Sequence, residues 1–408
     1  MMSFYTEQEL TYKKTAVIGL GASGGFFSLL ALKNPCNIIT GFDLNEPFST
    51  LLKTGGGRCN ITYDEDDIKD FVQNYPRGSK FLLSVFSRFS AAQARELFEK
   101  LGVKTYVQPD KRVFPETDSS ALTIKTLAAH LNAPNFTHKK EKVISASKSA
   151  KGFEIKTNQG VYIFDRLVIA SGGGNTGFFS SFGHKIKPLR PSLTALDIRE
   201  KEFYSLSGLS FHNARIKARL EKRSYEAEGD FLFSHKSITG PLVFKISALS
   251  AYDDFAEDKP LEITLKTSGC SPEMIENELK ANAKKSIKNV FSKFAPESFI
   301  SLICSINNID GNKQAAQLKK QEKEILIQAL TALKLHAEGR IKNSEIVTAG
   351  GVSLDEINQK TMESKLIPGL FFTGEVLDID GFTGGFNLQN CWSTAYICSL
   401  NFITPAKN

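Results

Sequence analysis

The spacing of apolar positions sorts this chain into three kinds of stretch. Short apolar, largely β-branched runs at Lys14–Ile18, Asn37–Asp43, Arg166–Ile169 and Leu370–Thr373 end at glycine, at small residues or at glycine plus an acid, and read as buried strands. Strict alternation in Ala214–Leu220 and Leu261–Lys266 predicts antiparallel strands with one wet face. Intervals of three and four predict helices across Asp64–Leu101, where Phe81, Leu82, Val85, Phe86 and Phe89, then Ala94, Leu97, Phe98 and Leu101, fall on one side. Ser119–Leu131 adds a helix between the strand-like stretches Gly102–Phe114 and Phe136–Ile169. Pro272–His336 reads as a helical insertion whose last segment puts Ile325, Leu326, Ala329, Leu330 and Leu333 on one face. Sheet-like pattern resumes at Glu345–Val352, and a final helix runs through Trp392 to Leu400.

The first strand opens the chemistry. Gly19, Gly21 and Gly24 have the G-x-G-x-x-G spacing: Gly19 for a tight turn, Gly21 for close approach of a pyrophosphate, Gly24 for packing of the next helix on the strand. Ala22 and Ser23 lie inside that turn, where the free amides and positive end of the helix face an anion. The second strand ends in Asp43, 19 residues after Gly24, where a carboxylate should hold the adenosine ribose of a dinucleotide.

Three more loops have the same character. Gly55-Gly56-Gly57-Arg58-Cys59-Asn60 is too ordered for a flexible linker and lets backbone lie against a flat or anionic ligand, with Arg58 offering charge-assisted bonds. Ala170, Ser171 and Gly172 close the Arg166 strand with small residues that admit a cofactor or a returning chain. Near the C-terminus Gly374 and Glu375 end another strand, and Gly384, Gly385, Phe386, Asn387, Leu388 and Gln389 repeat the glycine-before-helix device. One nucleotide domain is therefore expected from both ends of the chain. The prolines of Pro188-Leu189-Arg190-Pro191 mark a boundary. Beyond it His235, a histidine in a loop-like setting of small residues, is the candidate for proton transfer or substrate binding, against the plainer reading of a surface or structural histidine.

Composition narrows the class. At 408 residues the chain can bury a large core in two or three domains, and 41% hydrophobic with 23% charged residues is ordinary for a globular protein. No apolar run approaches the ~18 residues of a membrane span, and the polar start Met1–Lys14 lacks a signal peptide's apolar core, so a cytoplasmic location is expected. A net charge of +7 raises the question of an acidic partner, but the bases are scattered and the run Lys313–Lys323 reads as a solvated helix face, so nucleic acid is not the expected ligand. Six cysteines without a C-x-x-C pair support neither a disulfide framework nor a zinc site, and no metal is expected.

Several separated motifs now agree: Gly19–Gly24, Thr54–Asn60, Gly183-His184 with Pro188–Leu193, Phe233-Ser234-His235 with Thr239-Gly240-Pro241, Val347–Val352, Thr361–Lys365 and Gly374–Gln389. Through them the chain resembles the BaiN-like (YhiN-like) flavoproteins, FAD-dependent oxidoreductases of the two-dinucleotide-binding-domain type. The resemblance implies an α/β fold with a Rossmann-like FAD-binding domain split between residues 1–191 and 339–408, a small β-barrel at 192–268 as substrate domain and a helical insertion at 269–338. It also implies that Asp43 grips the adenosine ribose where the family more often has Glu. Glu375 would lie near the ribityl chain and pyrophosphate, and amides at Asn387, Leu388 and Gln389 would meet the pyrimidine end of the flavin. Two departures stand out. Phe48-Ser49-Thr50 replaces a Gly-Arg/Lys-Lys element before the triple glycine, and the stretch Asn175–Phe182 is shorter than usual.

The expected activity is FAD-dependent reduction of a C=C or similar bond in a small apolar molecule. NAD(P)H would have to approach the flavin transiently, because a second complete G-x-G-x-x-G is missing. Two alternatives stay open: oxidation of a small amine with O2, and a non-catalytic FAD-binding protein acting on a partner such as RNA.

Overall fold

The computed structural model describes residues 12–174, 180–267, 269–342, 344 and 346–403. The chain divides into two compact units, residues 1–189 with 347–408, and residues 190–346. The polar start before residue 12, residues 175–179 of the shortened stretch and Glu345 of the resumed sheet lie outside the described residues.

The first unit is built on a five-stranded parallel sheet. Its strands are β1 (Lys13–Ile18), β2 (Asn37–Phe42), β6 (Phe136–Lys139), β10 (Arg166–Ile169) and β19 (Leu370–Phe372), in the order β19-β10-β1-β2-β6. The chain steps outward from β1 through β2 to β6, then returns to the other side of β1 with β10. That reversal places a crevice at the carboxyl ends of β1 and β10, the topological switch point of an open α/β sheet. Two antiparallel sheets flank it: β3 (Thr62–Tyr63), β4 (Thr105–Val107) and β5 (Arg112–Pro115), and β7 (Val143–Ser149), β8 (Gly152–Thr157) and β9 (Val161–Phe164). A short ribbon pairs β11 (Ile186–Ser192) with β18 (Val347–Val352).

The helices of this unit are α1 (Ala22–Ala31), α2 (Ile68–Val72), α3 (Ser79–Phe86), α4 (Ala91–Lys100), α5 (Ser120–Ala129) and α11 (Phe386–Ile403). Every residue of α1 is buried because the helix is wedged between the sheet and α11. Phe26 meets Trp392 at 5.1 Å and Phe27 meets Phe402 at 4.9 Å between ring centroids. Burying each such ring contributes about 1.5–3 kcal/mol, so the two ends of the chain are held together chiefly by apolar packing. α11 begins at Phe386, ahead of the Trp392–Leu400 stretch that apolar spacing marks. α4 starts with a capping box in which Ser90 and Gln93 satisfy each other's backbone amides.

The second unit holds a closed six-stranded barrel of β12 (Leu196–Ile198), β13 (Ser210–Leu220), β14 (Arg223–Phe233), β15 (Ser237–Thr239), β16 (Leu261–Lys266) and β17 (Leu333–Arg340). Its order is β12-β15-β14-β13-β16-β17, with β17 pairing back onto β12. β13 alternates buried and exposed residues, as its sequence predicts, and packs Phe211 against Phe231 at 5.2 Å inside. Helix α6 (Pro241–Leu249) lies between β15 and β16, and α7 (Pro272–Ala281), α8 (Ile287–Phe291), α9 (Glu297–Ile306) and α10 (Lys320–Thr331) lie between β16 and β17.

One expectation is corrected here. The helical stretch does not continue to His336: α10 stops at Thr331 and Leu333–Arg340 is the barrel's closing strand. Leu333 satisfies the helical interval after Leu330, but it also begins the alternation Leu333, Leu335, Ala337. Pairing with β16, where Leu333 sits opposite Leu265, decides between the two periods. Among the described residues no helix is long and apolar enough to cross a membrane.

Candidate cofactor site

The glycine turn after β1 is as tight as its spacing predicts. Gly19 has φ +90°, and a Cβ there would lie 2.4 Å from the Ala170 carbonyl oxygen. A Cβ on Gly24 would lie 1.9 Å from the Gly19 carbonyl oxygen. No side chain fits at either position, so β1, α1 and the end of β10 close on one another only with glycine there. Gly21 caps α1 without a side-chain bond, and the first helical amide bond is Gly25 N–H to the Gly21 carbonyl at 3.0 Å. Ala22 N–H donates to Thr50 Oγ at 3.2 Å, while the amides of Ser23 and Gly24 have no acceptor among the described residues.

Asp43 stands under this turn. Its Oδ2 accepts from Leu20 N–H at 2.8 Å and its Oδ1 from Asn45 N–H at 2.9 Å. Each carboxylate oxygen retains a further lone-pair direction, so the group is oriented by backbone yet still able to accept from a hydroxyl.

Thr50 belongs to a 3-10 segment, Ser49–Gly57, that ends in three successive left-handed glycines with φ of +57°, +67° and +86°. Beside Gly56 and Gly57 a Cβ would meet nothing within 4 Å, so the backbone conformation, not crowding, requires glycine there. Arg58 lays its guanidinium over the Phe114 ring at 4.0 Å and donates from Nε to the Gly55 carbonyl at 3.4 Å. Cys59 is fully buried with φ +66°, and burial pushes its thiol up to about 12, so it is an inert packing group here. Asn60 is 8% exposed and its Oδ1 has no partner; the buried Oγ of Ser171, just after Ala170, has none either. Buried acceptors and hydroxyls left unpaired are uncommon in native folds and mark places where a further group belongs. Gly172 follows Ser171 with φ +72° and open space beside it.

The C-terminal loops reach the same edge. A Cβ on Gly374 would lie 2.7 Å from Ser23 Cβ, and Gly374 N–H donates to Thr394 Oγ at 2.9 Å, so the end of β19 abuts α1. Glu375 accepts from Thr348 N–H at 2.8 Å. Desolvation pushes its carboxyl above the usual range against that bond, and Asp380 nearby adds to the rise.

Before α11, a Cβ on Gly385 would lie 2.5 Å from the Thr62 carbonyl oxygen, which sets the helix start against β3. The Asn387 side chain accepts from Gly381 N–H at 2.8 Å and donates to the Gly381 carbonyl at 2.7 Å, tying the preceding loop to the first turn. Backbone amides of Phe386, Asn387 and Leu388 have no acceptor among the described residues, whereas Gln389 N–H closes the first helical bond to Gly385 at 2.9 Å. The Gln389 side chain is buried, accepting from Thr62 Oγ at 2.6 Å and donating to Ser393 Oγ at 2.8 Å. Of the three positions expected to offer amides, Gln389 is thus the one that holds the helix in place.

Sequence spacing misses three participants. Thr50, which the sequence marks only as part of a departure from the family's pattern, supplies the acceptor for Ala22 N–H. Arg77 forms a two-point ion pair with the fully buried Asp380 across 303 positions of sequence. Asp378 is half-buried, burial pushes its carboxyl above the usual range despite Arg77, and its Oδ1 has no partner. A glycine–acid–x–x–acid run was visible for Asp378; nothing local points to Arg77. His235 lies in the second unit, exposed in the turn between β14 and β15, with no hydrogen bond among the described residues.

A parallel sheet reversing at β1, a glycine turn into α1 and an acid at the end of β2 define a Rossmann-type α/β fold. The chain belongs to the HI0933-like family, whose model, described as the HI0933-like protein Rossmann domain, matches residues 13–401. That match bears out the resemblance read from the motifs. The chain is 27% identical over 406 residues to a ribosomal RNA dihydrouridine synthase of Escherichia coli, covering 96% of this chain and 98% of that protein. It is 27% identical over 413 residues to a 3-dehydro-bile acid delta(4,6)-reductase of Clostridium scindens, covering 94% and 97%. Among solved structures, the quinol fumarate reductase FrdA of E. coli aligns with a TM-score of 0.48 and 14% identity over 96% of this chain and 70% of that one.

Proposed function

We infer that this protein holds FAD at the β1–β10 edge of its first unit and uses it to saturate a carbon–carbon double bond conjugated to a carbonyl group. The observation that carries the reading is the set of open polar groups: two helix N-termini, α1 and α11, with uncommitted amide donors, alongside the unpaired acceptor Asn60 Oδ1 and the unpaired hydroxyl of Ser171. Those groups suit a molecule with a pyrophosphate, ribose-like hydroxyls and a polar ring edge. Ser23 and Gly24 would take the pyrophosphate, Asp43 the adenosine ribose and Glu375 the ribityl chain. Amides of Phe386, Asn387 and Leu388 would take the pyrimidine end of the ring.

When bound, FAD supplies hydride transfer and stores the electron pair. The chain does the rest. The first turn of α11 favours negative charge on the ring edge without any titrating group, and the Asn387 clamp keeps that turn open and fixed. Asp378, whose carboxyl burial pushes above the usual range, is the proposed holder of the proton that a reduced double bond must receive at its second carbon. The two relatives named above support the reaction class, because forming dihydrouridine and reducing a delta(4,6) bile acid both add hydrogen across C=C. NAD(P)H is the proposed electron donor, approaching transiently.

The double bond is that of a small apolar compound. A second reading, a uracil base within RNA, is favoured by alignment with ribosomal RNA dihydrouridine synthases of two organisms, each over 98% of its length.

An absorbance spectrum of the purified protein, with the flavin identified after denaturation, tests the cofactor; a colourless folded protein that refuses added FAD overturns the reading. Anaerobic mixing with NADH and NADPH, then with cyclohexenone, with uridine-containing RNA or with O2, tests the rest. Rapid reoxidation by O2 with peroxide release, and none by either alkene, favours the amine-oxidase alternative.

A further inference from the structure

Two runs of lysine without intervening acids lie in the helical part of the second unit. Residues 272–331 carry nine lysines, no arginine and seven acids, but residues 280–293 hold five of the lysines and no acid, and residues 313–320 three more and no acid. The fold zips the runs together: Ala316 N–H donates to the Ala283 carbonyl at 2.9 Å, Ala315 N–H to Lys285 at 2.9 Å, Ile287 N–H to Lys313 at 3.1 Å and Lys288 N–H to Gly311 at 3.1 Å.

Local acids neutralise only part of this charge. Lys293 pairs with Glu278 at 2.7 Å, Lys313 with Glu322 at 2.6 Å and Lys323 with Glu276 at 3.8 Å. Lys280, Lys284, Lys285, Lys288, Lys319 and Lys320 have no carboxylate within ion-pair distance among the described residues. All but Lys288 are exposed. The barrel's outer face is different, since Arg215 and Lys217 on β13 pair across the strand with Glu228 and Glu226 on β14. Six like charges crowded on two joined loops repel one another and are best satisfied by a polyanion. The aromatic rings of the stretch, Phe291, Phe294 and Phe299, pack into the core and provide no stacking platform. The occupant is therefore gripped by its charged backbone and not by its bases.

We propose that the lysine-rich loops at 280–288 and 311–320 are a docking surface for the phosphate backbone of RNA. The surface deepens the second substrate reading above, to which it would bring a base carried on a polymer. Binding at the surface is nonetheless read without turnover.

The test uses the full chain with FAD bound and a fluorescein-labelled RNA hairpin followed by anisotropy, from about 50 to about 200 mM salt. Wild-type affinity should fall steeply and linearly on a log–log plot. The fourfold variant Lys280→Ala, Lys284→Ala, Lys285→Ala and Lys320→Ala should bind about tenfold or more weakly at low salt, with a slope shallower by about three. The corresponding fourfold change to arginine should restore both and guards against a folding defect. The proposal is overturned if wild type binds no RNA at low salt, if the alanine variant matches wild type, or if polyglutamate or anionic vesicles displace the RNA as effectively as RNA does. A protein that holds FAD and docks no RNA sinks this proposal alone; one that docks RNA but refuses FAD sinks only the cofactor reading.

Discussion

The two helix starts of the first unit, α1 and α11, make an instructive pair. Both α1 and α11 are entered through glycines whose Cβ atoms would collide with backbone, and both leave amides open. They reach that state differently. At α1 the surrounding groups are partly committed to one another, with Leu20 N–H on Asp43 and Ala22 N–H on Thr50, so the turn is a self-supporting unit that exists before any ligand arrives. At α11 the side chains of Asn387 and Gln389 are drawn away from the opening, one into the preceding loop and one into the Thr62–Ser393 network, and only main chain remains. A helix start can thus be made receptive either by glycine alone or by side chains that hold themselves aside.

The sharpest way to break the first half of this contrast is Gly24→Ala. Its Cβ would overlap the Gly19 carbonyl oxygen, so a loss of about 3 kcal/mol or more in unfolding free energy is expected together with loss of FAD, measured by calorimetry and flavin content. Wild-type affinity in that variant would mean the turn is not the seat of the pyrophosphate. Gly385→Ala should cost about 2 kcal/mol and weaken FAD binding about tenfold or more, because the α11 start must move off Thr62. Gln389→Leu strands the Thr62 hydroxyl and should cost about 1–3 kcal/mol in urea unfolding while leaving FAD affinity unchanged. An equal loss of FAD would place Gln389 at the ligand.

Smaller still, Thr50→Val removes the acceptor of Ala22 N–H and should lower stability by about 1 kcal/mol, with FAD retained. The least effect concerns acidity. Glu375 has its carboxyl raised in the folded state, so the stability it contributes is full below the unfolded value and is lost as pH rises through the folded one. Urea midpoints of wild type should therefore decline relative to Glu375→Gln as pH rises above the ordinary carboxylate range. Parallel curves would show that burial does not raise this carboxyl.

The sequence made legible what depends on neighbours in the chain. Gly19, Gly24 and Asp43 are fixed by short spacing, and β13 by its alternation, and each stands where that reading puts it. What escaped it depends on partners far away. Leu333 obeys two periods at once and is settled by Leu265; Arg77 acquires its meaning from Asp380; the two lysine runs become one surface through backbone bonds between residues 283–288 and 311–316. Cys59 and Gln389, both within motifs that suggest ligand contact, turn inward instead, because a motif records which residues are needed and not which way each one faces.

The pairing of Leu265 with Leu333 has one more consequence. The chain departs from the barrel and returns to it at the same rung of a ladder, after 67 intervening residues that include α7 to α10 and the lysine loops. A two-residue hairpin could join β16 to β17 just as well. The longer excursion that stands there instead is sewn into the barrel it leaves: Phe299 of α9 meets Phe211 of β13 at 5.2 Å and Thr267 N–H donates to the Leu330 carbonyl at 3.0 Å, so insertion and staves share one interior and neither can be exchanged without refitting the other.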